Sequence, residues 1–201
     1  MQNNSSKKSS FLNTRSIAAI GLAIASVAFA GCTTTMPDKD ASAGTTRNTI
    51  NAGVDSTLSK LYQTAPASRE LVARAKGVLV FPNVLEAGFV VGGEYGKGAL
   101  RVNNRTEGYY STTAGSVGFQ AGAQSKAIVV LFMTQDSLDK FRNSNGWTVG
   151  ADATVALANV GANGNIDTNT VQQPIVGFVM TNGGIMAGVS LQGAKISKIN
   201  P

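Results

Sequence analysis

The chain has 201 residues, with no histidine and a single cysteine, Cys32. That excludes histidine general bases, Ser-His and Cys-His nucleophile pairs, intrachain disulfides and the usual zinc sites. The formal charge of +6 includes Lys7, Lys8 and Arg15, which lie in an N-terminal leader; without them 14 basic side chains face 11 acidic ones. Such a mildly cationic surface, with scattered aromatics and no arginine cluster, suits anionic lipid better than nucleic acid.

The leader comes first in the chain. "MQNNSSKKSSFLNTR" supplies a basic start, and "SIAAIGLAIASVAFA" an apolar core too short to span a membrane comfortably. "FAGC" follows, with small residues ahead of Cys32. This layout resembles the lipobox of bacterial lipoproteins, with Phe29 where that motif usually has leucine. The resemblance implies cleavage after Gly31 (a signal over residues 1–31), acylation of Cys32 and, with Thr33 rather than aspartate next, outer-membrane anchoring. The alternative is an ordinary export signal followed by an incidental thiol.

Residues 32–46 are polar and carry no apolar period, which reads as a flexible tether. A folded domain is expected over residues 47–201. Ile50, Val54, Leu58 and Leu61 form one helical stripe that Pro66 stops. Ser68 is placed to cap a second helix over "RELVARAK", with Gly77 at its end. A third helix is predicted at "QDSLDKF", capped by Thr134.

The rest reads as strands. "GVLVF" and "AIVVLFM" are continuous apolar runs of the kind covered on both faces. "SVGFQAGAQ", "WTVGADATVAL" and "IMAGVSLQG" alternate with period two, as half-buried strands do. "NNRTEG", "RNSNG", "NGNIDTNT" and "TNGG" break them. "VLEAGFVVGGEYGKGAL" has two readings, because Gly88, Gly92 and Gly96 also have the spacing of a helical glycine zipper. In a helix each glycine would cost about 1 kcal/mol relative to alanine. Glu94 and Lys97 also interrupt the run far short of the roughly 20 residues a span needs. A strand is therefore expected, its glycines admitting close or strongly bent backbone.

Little catalytic chemistry remains. "GGEYGKG" lacks the upstream glycine and following helix of a phosphate-binding loop. Glu94, Glu107 and Asp152 have no spacing that would pair two carboxylates. The cations Lys97, Arg101 and Arg105 fall in nine residues, with Lys195 and Lys198 near the C-terminus. They read either as solvated surface charge or as a rim for anionic head groups, each contributing about 1 kcal/mol. Lys76 fits such a rim or a helix C-terminus equally.

"ARAKGVLVFPNVLEAGFVVGGEYGKGAL", "SVGFQAGAQSKAIVVLFM" with "LDKF", "WTVGADATVALANVG" and "GGIMAGVSLQGAKI" resemble, in order, the blocks of the SYLF domain. The resemblance spans about Leu58 to Ile199. This chain departs from it at "EGYYSTT" and "GFVMTNGG". In that family's eukaryotic members the resemblance implies phosphoinositide binding, with actin association in fungi. What it implies here is a lipid-binding domain.

The expected fold is α+β and predominantly antiparallel β, a sandwich or partial barrel with N-terminal helices packed on it. The expected function is non-enzymatic: an outer-membrane-anchored lipoprotein binding lipids, anionic head groups or envelope surfaces. Its site is Cys32 for lipidation, with Lys76, Lys97, Arg101 and Arg105 for lipid. No metal, cofactor or nucleic acid is expected. The alternative is an interaction protein for another envelope protein.

Overall fold

The computed structural model describes residues 39–160 and 166–201. The signal, Cys32 and the first part of the tether lie outside them. Four helices and seven strands are described, in the order α1 (Lys39–Thr64), α2 (Ser68–Arg74), β1 (Gly77–Val102), β2 (Arg105–Phe132), α3 (Gln135–Arg142), β3 (Trp147–Thr148), β4 (Ala156–Leu157), α4 (Thr168–Val171), β5 (Ile175–Thr181), β6 (Gly184–Ile185) and β7 (Lys195–Ile199). The pairings are antiparallel except β4 with β5, and the sheet curls into a half-barrel. The expected fold class stands.

β1 and β2 make one long ribbon, joined by a tight turn at Asn103 and Asn104. Both asparagines have positive φ, +50° and +61°, as a two-residue hairpin turn requires. Along one stretch β2 is flanked by β7 (Tyr109–Thr113) and along another by β5 (Ala127–Phe132). Between these legs, residues 114–118 and 122–126 of β2 pair with β1, and no other described strand flanks them. This middle stretch is the apex of a ribbon folded back on itself. A methyl at Gly98 would overlap the Val80 carbonyl, and one at Gly96 would lie 2.7 Å from Val84 Cγ2. The strand reading of the glycine run holds, and these two glycines let the legs cross at backbone contact.

The legs hold the core. Leu79, Phe81, Val84, Leu100, Tyr110, Val130 and Phe132 face the concave side, where Phe141 of α3 and Trp147 join them. Val78, Val80, Ala99, Val129 and Leu131 face the other way, under Ile50, Val54, Leu58 and Leu61 of α1. A ribbon buried on both faces explains the continuous apolar runs. Leu79, Phe81 and Val84 reach one face despite the odd spacing because β1 carries a surplus residue at Pro82–Asn83, where the register shifts by one.

Several expectations are corrected. α1 starts at Lys39, eight residues before the expected domain boundary at Arg47, so residues 39–46 of the expected tether are helical. That segment has no apolar period to reveal it. Ser68 is not the cap of α2. The turn has already begun at Ala65, whose carbonyl accepts from Ser68 N, and Ser68 is buried with its hydroxyl toward the Leu61 carbonyl. The helix ends at Arg74 and Gly77 opens β1. "WTVGADATVAL" is two short strands, not one. Gly150 turns the chain at φ +91°, and the Asp152 carboxylate accepts from Thr148 N at 2.6 Å. "IMAGVSLQG" keeps only Ile185 in a strand, and Gly188 and Gly193 adopt positive φ beyond it. α3 is as expected: Thr134 Oγ1 accepts from Ser137 N at 3.2 Å.

Candidate functional site

The apex is built by period-two alternation with the core removed from one side. Leu85, Val91 and Tyr95 are the exposed large hydrophobics of the described residues, at 52%, 69% and 50%. Ala87, Gly93 and Lys97 share their phase, and Thr113, Gly115, Ala123 and Ser125 lie opposite them across the ribbon. None of these outward-facing side chains is acidic. Next to Tyr95 the ladder continues through Thr113 to Lys195, so Lys97 and Lys195 stand at the base of the apolar face.

The inner face of the apex is closed by charge. Lys126 Nζ lies 2.7 Å from Glu94 Oε1 and 3.5 Å from Glu86 Oε2, with only 10% of the lysine side chain exposed. Gln124 Nε2 donates to the same Glu86 oxygen at 3.1 Å. Glu86 and Glu94 enter and leave the bend of β1, so one cation pins both sides of it. A lone lysine inside an apolar strand was the sequence signal for this clamp.

The expected cations fall at separate places. Lys97 is exposed at the apex base. Arg101 shares its face but lies under α1, where Nη1 bridges Asp55 at 2.5 Å and Nη2 donates to the Asn51 carbonyl at 3.4 Å. Arg105 is exposed and pairs with Val102, the register position next to the pair that holds Arg101, so it projects from the opposite face. Lys76 is exposed at the junction of α2 and β1. The three carboxylates weighed for catalysis are apart: Glu94 binds Lys126, Asp152 caps a turn, and Glu107 bridges Arg142 at 2.6 Å. The Glu107 hydrogen bond holds the Arg142 guanidinium above its usual pKa. Burial raises the Tyr110 phenol in the core. No group of three or more metal-ligating side chains exists among the described residues, and none of their helices is long and apolar enough to cross a membrane.

A groove of about 480 Å³ lies at the other end of the ribbon, between α1, α2 and the β1–β2 turn. Arg69 and Arg101 line it with Tyr62, and the Arg69 guanidinium sits 4.7 Å from the centre of the Tyr62 ring. Burial raises the Tyr62 phenol, and the fields of Arg69 and Arg101 oppose that rise. Sequence reasoning missed this groove because Pro66 separates Tyr62 from Arg69 and only the helix–helix turn reunites them.

Residues 113–200 match the family model described as Ysc84, Las17-binding protein actin regulator. The SH3 domain-containing YSC84-like protein 1 of Homo sapiens is 27% identical over 132 residues, covering 62% of this chain and 37% of that protein. Its counterpart in Pongo abelii is 26% identical over 130 residues, with the same shares. The chain thus matches well under half the length of these relatives. Residues 113–200 thus resemble the Ysc84 (SYLF) domain, with the YSC84-like proteins as distant relatives.

Proposed function

We propose that this chain is a non-enzymatic, lipid-surface-binding member of the SYLF family, anchored at the outer membrane through acylated Cys32, and that the ribbon apex docks on lipid. The observation that carries this reading is the apex's outward face: three exposed large hydrophobics, no acidic side chain, and Lys97 and Lys195 at its base. Fully burying such side chains contributes at most about 1.5–3 kcal/mol each. A near-surface lysine adds about 1 kcal/mol toward anionic lipid. The apolar row therefore sets affinity, and the lysines set preference for charge. Lys76 and Arg105 lie away from this face and Arg101 is covered by α1, so the three contribute less.

The test uses the full chain with Cys32→Ser, so that no acyl group binds for it, and vesicles of phosphatidylcholine with or without phosphatidylglycerol. Replacing Leu85, Val91 and Tyr95 by serine should remove most vesicle binding with an unchanged circular dichroism spectrum. Lys97→Gln with Lys195→Gln should abolish only the anionic preference, which in the parent weakens with salt. Undiminished binding by the triple serine variant would overturn the reading. A protein partner is the second reading, favoured by the unpaired ribbon edges at the apex, which suit strand addition. The family description, which names Las17 binding, also leans toward it.

A further inference from the structure

The groove beside α2 has the parts of a small-molecule site and is distinct from the apex. Its apolar side is Leu58, Val72 and Val78. Its polar side is Tyr62, Arg69 and Arg101, with Asn103 and Asn104 at the rim. No carboxylate is among the lining residues.

The two arginines are in different states. Arg69 is exposed and forms no salt bridge among the described residues; its neighbour Glu70 is bridged to Arg74 at 3.6 Å. Arg101 is held from the α1 side by Asp55 and the Asn51 carbonyl, while its Nε is buried with no hydrogen-bond partner among the described residues. A buried guanidinium N–H without an acceptor is costly, and the same arginine lines the groove. Two guanidiniums against the single carboxylate of Asp55 leave one unit of positive charge. A monoanion neutralises that charge, whereas a dianion would overshoot it. Arginine forks match carboxylate geometry, and the Tyr62 phenol, protonated at neutral pH as an ordinary phenol is, adds a donor. The apolar side asks for hydrocarbon.

We propose that this groove binds a small amphiphilic carboxylate, its head between Arg69 and Arg101 and its tail along Leu58, Val72 and Val78. The site is independent of the lipid-surface reading, since it lies at the opposite end of the ribbon.

Calorimetric titration of the full chain tests it with four probes: octanoate, butyrate, octanol and inorganic phosphate. Octanoate should bind, butyrate should bind more weakly, and neither octanol nor phosphate should displace octanoate. Arg69→Gln, at an exposed position that leaves the fold intact, should weaken octanoate by roughly tenfold, the loss of one charge-assisted contact. The triple serine variant of the apex should bind octanoate like the parent, which separates failure of one site from failure of the other. Octanol binding as tightly as octanoate, phosphate displacing it, or an unaffected Arg69→Gln variant would each overturn the proposal.

Discussion

The legs of the β1–β2 ribbon and its apex are cut from the same two strands, and both read as alternating or apolar sequence. In the legs each face meets a partner layer: the half-barrel interior on one side and α1 on the other. β5 and β7 extend the ladder there. At the apex the ladder has two strands only, and what holds the bend is one lysine between two glutamates. The difference shows that hydrophobicity does not by itself assign a residue to the core. Leu85 and Val91 are as apolar as Leu79 and Val80, yet more than half exposed because no layer covers them.

This comparison can be broken at three levels. The largest effect belongs to the legs. Phe132 is fully buried, with ring centroids 4.8 Å from Phe141 and 6.2 Å from Trp147. Phe132→Ala should cost about 3–5 kcal/mol in denaturant unfolding. A loss below about 1 kcal/mol would mean that the concave core is not the main support.

An intermediate effect belongs to the clamp. Lys126→Met leaves Glu86 and Glu94 without their shared cation and should destabilise by about 1–3 kcal/mol, less than a fully buried pair because all three keep some exposure. Hydrogen exchange should then accelerate at the apex amides and stay unchanged in the legs. Uniform acceleration along the ribbon would show that the apex is not a separate opening unit.

The smallest effect belongs to the apex's outer face. Val91→Ser should change stability by less than about 0.5 kcal/mol, since the side chain is 69% exposed. A cost near that of Phe132→Ala would place Val91 against a layer and remove the basis for the apex as a docking face.

Much of the fold was legible because periodicity and caps are local. The α1 stripe, the Thr134 cap and the two apolar runs needed only their own residues. Ser68 was misread because its role depends on Ala65 and Pro66 already turning. "WTVGADATVAL" and "IMAGVSLQG" alternate as strands do, but glycines at positive φ and the Asp152 carboxylate divert them. β5 and β7 were not singled out. β7 mixes lysines with isoleucines, and its pairings with Tyr109–Thr113 and Trp147–Thr148 identify it as a strand. Among the candidate cations, proximity in sequence gave Lys97, Arg101 and Arg105 as a cluster. The turn at Asn103–Asn104 sends Arg105 to the face opposite Arg101, and sequence spacing does not report that α1 crosses above Arg101.

The surplus residue at Pro82–Asn83 governs what comes after it. Ahead of it Leu79 and Phe81, at odd positions, point into the core; beyond it Leu85, Val91 and Tyr95, also odd, point into water. Had the strand kept step, those three would point inward and Glu86 and Glu94 would be wet. Proline has no N–H to lend to a ladder, and its ring packs on α1 at Gly53, so the extra residue is locked in place rather than free to wander along β1. The chemical character of a whole molecular face is thus decided several residues upstream of it, by an imino ring held against α1.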